Sequence, residues 1–137
     1  MIMFTIPGKA QGKGRPRFMR NGHTYTPEPT RNYEELVRLK FREKYKDAPI
    51  EDAVRVSIMV WMMPAKSLSK KKKAELMMQS PMLKPDVDNI AKIVLDALNG
   101  LAWKDDKQVV YLDIEKLWGY EEKVVVIITT KEDFDNE

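Results

Sequence analysis

The chain has 137 residues, 43% hydrophobic and 33% charged, with a net charge of +3. That is about one domain's length, with enough apolar residues for a single core and too mixed a composition for disorder. No cysteine is present and His23 is the sole histidine, which excludes disulfides and thiolate metal sites and argues against an imidazole zinc centre.

The first element expected is a strand over Ile2–Pro7. Residues 8–17 follow with three glycines and four cations, Lys9, Lys13, Arg15 and Arg17, the pattern of an accessible loop. Residues 23–26 suit a short strand or hairpin arm. Pro27 and Pro29 introduce a helix over roughly 29–46, whose apolar face carries Tyr33, Leu36, Val37, Phe41 and Tyr45. Residues 54–63 alternate as a strand, with Val54, Val56, Ile58, Val60 and Met62 on one side, and Pro64 ends it. Ser67 or Ser69 can cap a short helix through Met78. Its opening run, Lys70–Lys73, opposes the helix dipole, so it serves solubility or a ligand rather than the helix.

A helix then runs from Asp86 or Asp88 to Asn99, with Ile90, Ile93, Val94, Ala97 and Leu98 as its apolar stripe and Asn99-Gly100 as a left-handed stop. Residues 109–117 and 123–130 read as two strands joined near Gly119, the second apolar enough to be buried on both faces. The acidic residues 131–137 are expected to fray. The nine methionines are expected mainly as core filling, and Trp103 as a core anchor. No apolar run approaches the roughly 18 residues of a membrane span, and the N-terminus lacks a basic leader, so the expected compartment is the cytoplasm.

Charge is unevenly placed: +7 over residues 1–46, −2 over 47–65, +5 over 66–84 and −7 over 85–137. Basic stretches favour a polyanion, because neutralising phosphates releases counterions. Carboxylates clustered in a phosphate-binding chain repel the ligand unless a divalent cation accompanies them. The acidic run is specific in form. Asp86 and Asp88 open a helix, Lys92 lies one turn on, and Asp105-Asp106 follow that helix. If residues 101–106 fold the chain back, three or four carboxylates converge on one spot. Mg²⁺ suits such a place, taking one or two carboxylates, waters and phosphate oxygens. Taken singly, Asp86 and Asp88 can instead be helix caps, Lys92 an i±4 partner of Asp88 or Asp96, and Asp105-Asp106 a turn.

The run Lys84-Pro85-Asp86-x-Asp88-Asn89-Ile90-x-Lys92-x-x-x-Asp96-Ala97-Leu98-Asn99-Gly100, followed by Trp103-x-Asp105-Asp106-x-Gln108-Val109, resembles the RusA family of Holliday-junction resolvases. The likeness extends loosely to Ile6-Pro7-Gly8 and Lys13-Gly14-Arg15-Pro16-Arg17. It implies a single α+β domain, a small mixed sheet packed with two to three helices. It also implies a homodimeric endodeoxyribonuclease that resolves four-way DNA junctions by paired nicks, leaving 5′-phosphate and 3′-hydroxyl ends. The cofactor implied is Mg²⁺, with Mn²⁺ as a substitute, and no small-molecule cofactor. Carried over by position, Asp86, Asp88 and Asp106 are the essential carboxylates, Lys92 the essential lysine and Asp105 a supporting carboxylate. Lys9, Lys13, Arg15, Arg17 and Lys84 are the expected DNA contacts. The rival readings are a metal-dependent nuclease of broader specificity, a non-catalytic DNA-binding module, and an RNA-binding regulator, which the lack of an RNP-like aromatic signature disfavours.

Overall fold

The structure, a computed structural model, describes residues 1–135. Six strands and four helices follow in the order β1 (Ile2–Pro7), β2 (Arg17–Phe18), β3 (Thr24–Tyr25), α1 (Glu28–Lys44), β4 (Val54–Met62), α2 (Lys70–Met77), α3 (Val87–Leu98), a 3₁₀ turn (Asp106–Gln108), β5 (Val109–Trp118), β6 (Lys123–Thr130) and α4 (Lys131–Asp135). Strands β1, β6, β4 and β5 form one mixed sheet in that spatial order, and β2 pairs with β3 in a separate hairpin. The fold is thus a single small α+β domain.

Strict alternation makes β4: Val54, Val56, Ile58, Val60 and Met62 are all buried, and the residues between them are not. Helices α1 and α3 cover that apolar face and pack on each other. Tyr33, Val37 and Phe41, four residues apart, give α1 its buried stripe. Phe41 meets Phe4 of β1 edge to face, with ring centroids 5.8 Å apart. The stripe of α3 is the expected one, Ile90, Ile93, Val94, Ala97 and Leu98, and all five are buried. Gly100 closes this helix at φ +81°, a conformation glycine adopts without a Cβ penalty.

Two connections matter for the site. Strand β5 pairs in parallel with β4, which requires the long crossover through α2 and α3. The strands β5 and β6, consecutive in sequence, are not neighbours, because β4 lies between them. The chain passes over the end of β4 at Gly119, whose amide donates to the Met62 carbonyl. A Cβ at 119 would stand 2.9 Å from Cε3 of Trp61, so only glycine allows this close passage.

Two expectations are corrected. Residues 131–135 form a short helix rather than a frayed tail, because Asp133 accepts hydrogen bonds from the Thr130 amide and hydroxyl and pairs with the Met1 amine. Residues 136–137 lie outside the described part. The methionines are mostly not core: only Met62 is buried, while Met1, Met3, Met19, Met77, Met78 and Met82 are exposed. The core positions are taken by β-branched and aromatic residues, which suit a pleated, tightly packed sheet.

Candidate metal and DNA site

At the N-terminus of α3 the sequence offered capping as the ordinary explanation for Asp86. Asp86 does occupy the cap position, but its side chain accepts no hydrogen bond from the helix. Its Oδ1 lies 3.3 Å from Nζ of Lys84 instead. Two other helices show what a working cap looks like here. Ser69 accepts from the Lys72 amide, and Asp105 accepts from the Lys107 amide in a full capping box with Gln108. Asp88, in the first turn of α3, is exposed and makes no hydrogen bond or ion pair with the described residues. Two carboxylates thus stand with free oxygens where the helix dipole favours negative charge.

Lys92 is exposed one turn further along and is likewise without a partner among the described residues. The i±4 ion pair does not form. Asp96 is engaged by Lys13, whose Nζ lies 3.0 Å from Asp96 Oδ2 and 3.3 Å from Glu34 Oε1. This three-way cluster ties the N-terminal loop to α1 and α3. Burial alone lowers the Lys13 pKa, but the Asp96 hydrogen bond and the charges of Glu34 and Asp96 outweigh it and hold the ammonium above its usual range.

The N-terminal loop is therefore not a free phosphate-gripping strap along its whole length. The Lys13 amide donates to the Asn89 carbonyl. A Cβ on Gly12 would meet Pro85 Cβ at 3.0 Å and Asn89 Cβ at 3.3 Å, and one on Gly14 would meet Thr30 Oγ1 at 2.7 Å. These glycines let the loop lie flat on the start of α3 and on α1. Lys9, Arg15 and Arg17 remain exposed and so does Lys84, whose peptide bond to Pro85 is cis. Lys9 and Lys84, 75 positions apart in sequence, line one groove together with Gly12 and Pro85, beside Asp86.

The second half of the expected carboxylate set lies elsewhere. Asp106 Oδ1 accepts from the indole nitrogen of the fully buried Trp103 at 2.8 Å, leaving Oδ2 available. Gln108 anchors the same turn to the Ile50 and Asp52 carbonyls, in the segment just before β4. The short return from α3 is pinned by Gly100 to Trp103 and by Ala102 to Leu98. From there β5 runs back along α3. Its far end lies beside the entrance to α3, where Lys116 Nζ donates to the Leu83 carbonyl and Trp118 donates to the Gln79 carbonyl. So Asp86 and Asp88 stand at one end of α3 and Asp105 and Asp106 at the other. The twelve residues of the helix between them span about 18 Å at 1.5 Å per residue. The convergence of these carboxylates within one chain does not occur. Among the described residues no group of three or more acids and histidines is placed to share a metal ion. The expected fold-back fails because the chain enters β5 at once, and a strand antiparallel to α3 starts at that helix's far end.

The donor set still suits a hard divalent cation. Asp86 and Asp88 supply uncommitted carboxylate oxygens, and Mg²⁺ takes only one or two carboxylates beside waters and phosphate oxygens. Lys66 and Trp61, which the sequence did not single out, line a neighbouring cleft with Lys9 and Lys84. No spacing or motif marks them, because they come from the end of β4 and the loop after it. No helix among the described residues is long and apolar enough to cross a membrane.

Comparison with known proteins agrees with the motif. The chain is 38% identical over 134 residues to the Bacillus subtilis (strain 168) protein YqaN, covering 93% of this chain and 94% of that one. The family model for endodeoxyribonuclease RusA matches residues 7–129, spanning the N-terminal loop, α3, the Asp105-Asp106 turn and most of the sheet. On that match the chain belongs to the RusA family and is an endodeoxyribonuclease, a hydrolase of DNA phosphodiester bonds.

Proposed function

We propose that this endodeoxyribonuclease resolves four-way DNA junctions with Mg²⁺, Mn²⁺ being a possible substitute, and that it works as a homodimer. The observation that carries the reading is the state of α3's first two turns. Asp86, Asp88 and Lys92 are exposed and used by neither cap nor internal helix pair, beside the Lys9–Lys84 groove. Asp88 and Lys92 are left without partners among the described residues, and Asp86 is held only by the exposed Lys84 of the groove, so these charges are suited to a ligand rather than to the fold.

Asp86 and Asp88 would hold the cation, which when bound lowers the pKa of water and so supplies the attacking nucleophile. Lys92 balances the negative charge that builds on the phosphate in the transition state. Lys9, Arg15, Arg17 and Lys84 hold the strand by its phosphates, contacts that set register without reading sequence. Lys13 is spent inside the protein and contributes through loop position.

A dimer also answers the separation of the carboxylates. Two copies about a two-fold axis, with their α3 helices antiparallel, would bring Asp106 of the partner subunit toward Asp86 and Asp88. The same axis supplies the two matched sites that paired nicks on a symmetric junction require.

The test uses a labelled synthetic four-way junction beside a linear duplex of the same sequence, with Mg²⁺ or with chelator. Paired nicks confined to the junction, lost with chelator or in Asp88→Asn, are expected. Equal cutting of both substrates would point to a nuclease of broader specificity. Co-expressed Asp88→Asn and Asp106→Asn chains report on the dimer. A shared site leaves one of the two sites intact in the mixed dimer, so single-strand nicking returns. Sites confined to single chains give no rescue.

A further inference from the structure

We infer that the cleft beside the candidate site binds one unstacked nucleobase of the DNA, a proposal that rests on the nuclease reading above. The cleft holds about 600 Å³ and lies between the C-terminal end of β4, the loop at Lys9, and α2. Its walls are apolar, with Trp61, Leu76 and Leu83, and its rim carries Lys9, Lys66 and Lys84 against a single carboxylate, Glu122. An apolar slot ringed by ammonium groups matches a ligand with an aromatic body and an anionic backbone on both sides. A strand of nucleic acid with one base turned inward is such a ligand.

Position supports the same occupant. Lys84 lines both this cleft and the groove over Gly12 and Pro85, and its Nζ lies 3.3 Å from Asp86. A strand whose phosphate reaches Asp86 therefore passes the mouth of the cleft. Trp61 is half-buried, and Gly119 backs its ring so closely that no side chain fits there. Unstacking a base costs least where strands already leave the duplex, as at a branch point.

The arrangement also gives α2 a purpose. This helix has no buried residue, yet Leu68 before it and Leu76 within it both line the cleft. Its N-terminus carries Lys70–Lys73, which oppose its own dipole. Leu76 is the part of α2 that lines the slot, and backbone phosphates passing outside it would offset the repulsion among Lys70–Lys73.

The experiment places 5-iodouracil at single positions around the branch point of a four-way junction, with chelator present to prevent cutting. Irradiation should cross-link one position to the peptide holding Trp61. Trp61→Phe should keep that cross-link site and Trp61→Leu should lose it, with cross-links elsewhere unchanged. Leu76→Glu, on a helix outside the core, should weaken junction binding about ten-fold, within the range for one stacked base, and leave linear-duplex binding unchanged. Cross-links that map away from the cleft, with wild-type junction affinity for Leu76→Glu, overturn the base slot while junction cleavage still stands. No binding to the junction overturns both proposals together.

Discussion

Lys13 Nζ lies 3.0 Å from the Asp96 carboxylate, and that contact reassigns two residues at once. It turns a lysine of the basic loop into an internal tie, and it removes the acid that Lys92 would otherwise meet four residues on. The side chains of Lys13 and Glu34 in the cluster are largely shielded. Lys13→Ala should therefore lower stability by about 1–3 kcal/mol, the range for losing a hydrogen bond to a charged group. Denaturant titration checks this. The cluster raises the Lys13 pKa from its ordinary 10.5. Its stabilisation is accordingly complete below that pH and declines as pH rises through the higher folded-state value. A pH series of unfolding midpoints in the wild type and Lys13→Ala should converge at the alkaline end.

Asp88 and Lys92 make no contact that the fold needs. Asp88→Asn and Lys92→Met should each keep stability within about 0.5 kcal/mol, as surface substitutions do. Each should cut junction cleavage by about a hundred-fold or more, the loss typical of removing one charge-stabilising group. Parallel melting curves and single-turnover cleavage would show the two effects separated. A matching loss of stability and activity would place these residues in the structure instead.

Asp106 should behave differently, because it accepts from the buried Trp103 indole. Asp106→Ala leaves that N–H unsatisfied and should cost about 1–3 kcal/mol. Asp106→Asn retains an acceptor oxygen and should stay near wild-type stability while losing cleavage. Chemical denaturation followed by Trp fluorescence, beside the cleavage assay, distinguishes the structural use of Oδ1 from the proposed use of the carboxylate charge.

Tyr33 is buried on α1, and its hydroxyl has no hydrogen-bond partner among the described residues. Burial pushes its pKa well above the usual range. Tyr33→Phe removes an unsatisfied polar group and should raise stability by about 1 kcal/mol. An unchanged or lower unfolding midpoint would mean that the hydroxyl is satisfied by solvent.

Periodicity alone determined much of this protein. The alternation of β4 and the stripes of α1 and α3 follow from short-range geometry, since side chains repeat every two residues on a strand and about every 3.6 on a helix. The acidic motif was legible in the same way, as residue types at fixed offsets on α3. What those residues touch was not legible. Asp86 and Asp105 both stand at cap positions, yet only Asp105 caps, and no local rule separates them. The partner of Lys13 comes from helices 21 and 83 positions away. The cleft at Trp61 joins segments from both halves of the chain. Above all, the distance between the two carboxylate pairs depends on the direction in which β5 leaves α3. The sheet sets that direction by pairing β5 in parallel with β4, a long-range choice that the residues between Asn99 and Asp106 do not encode by themselves.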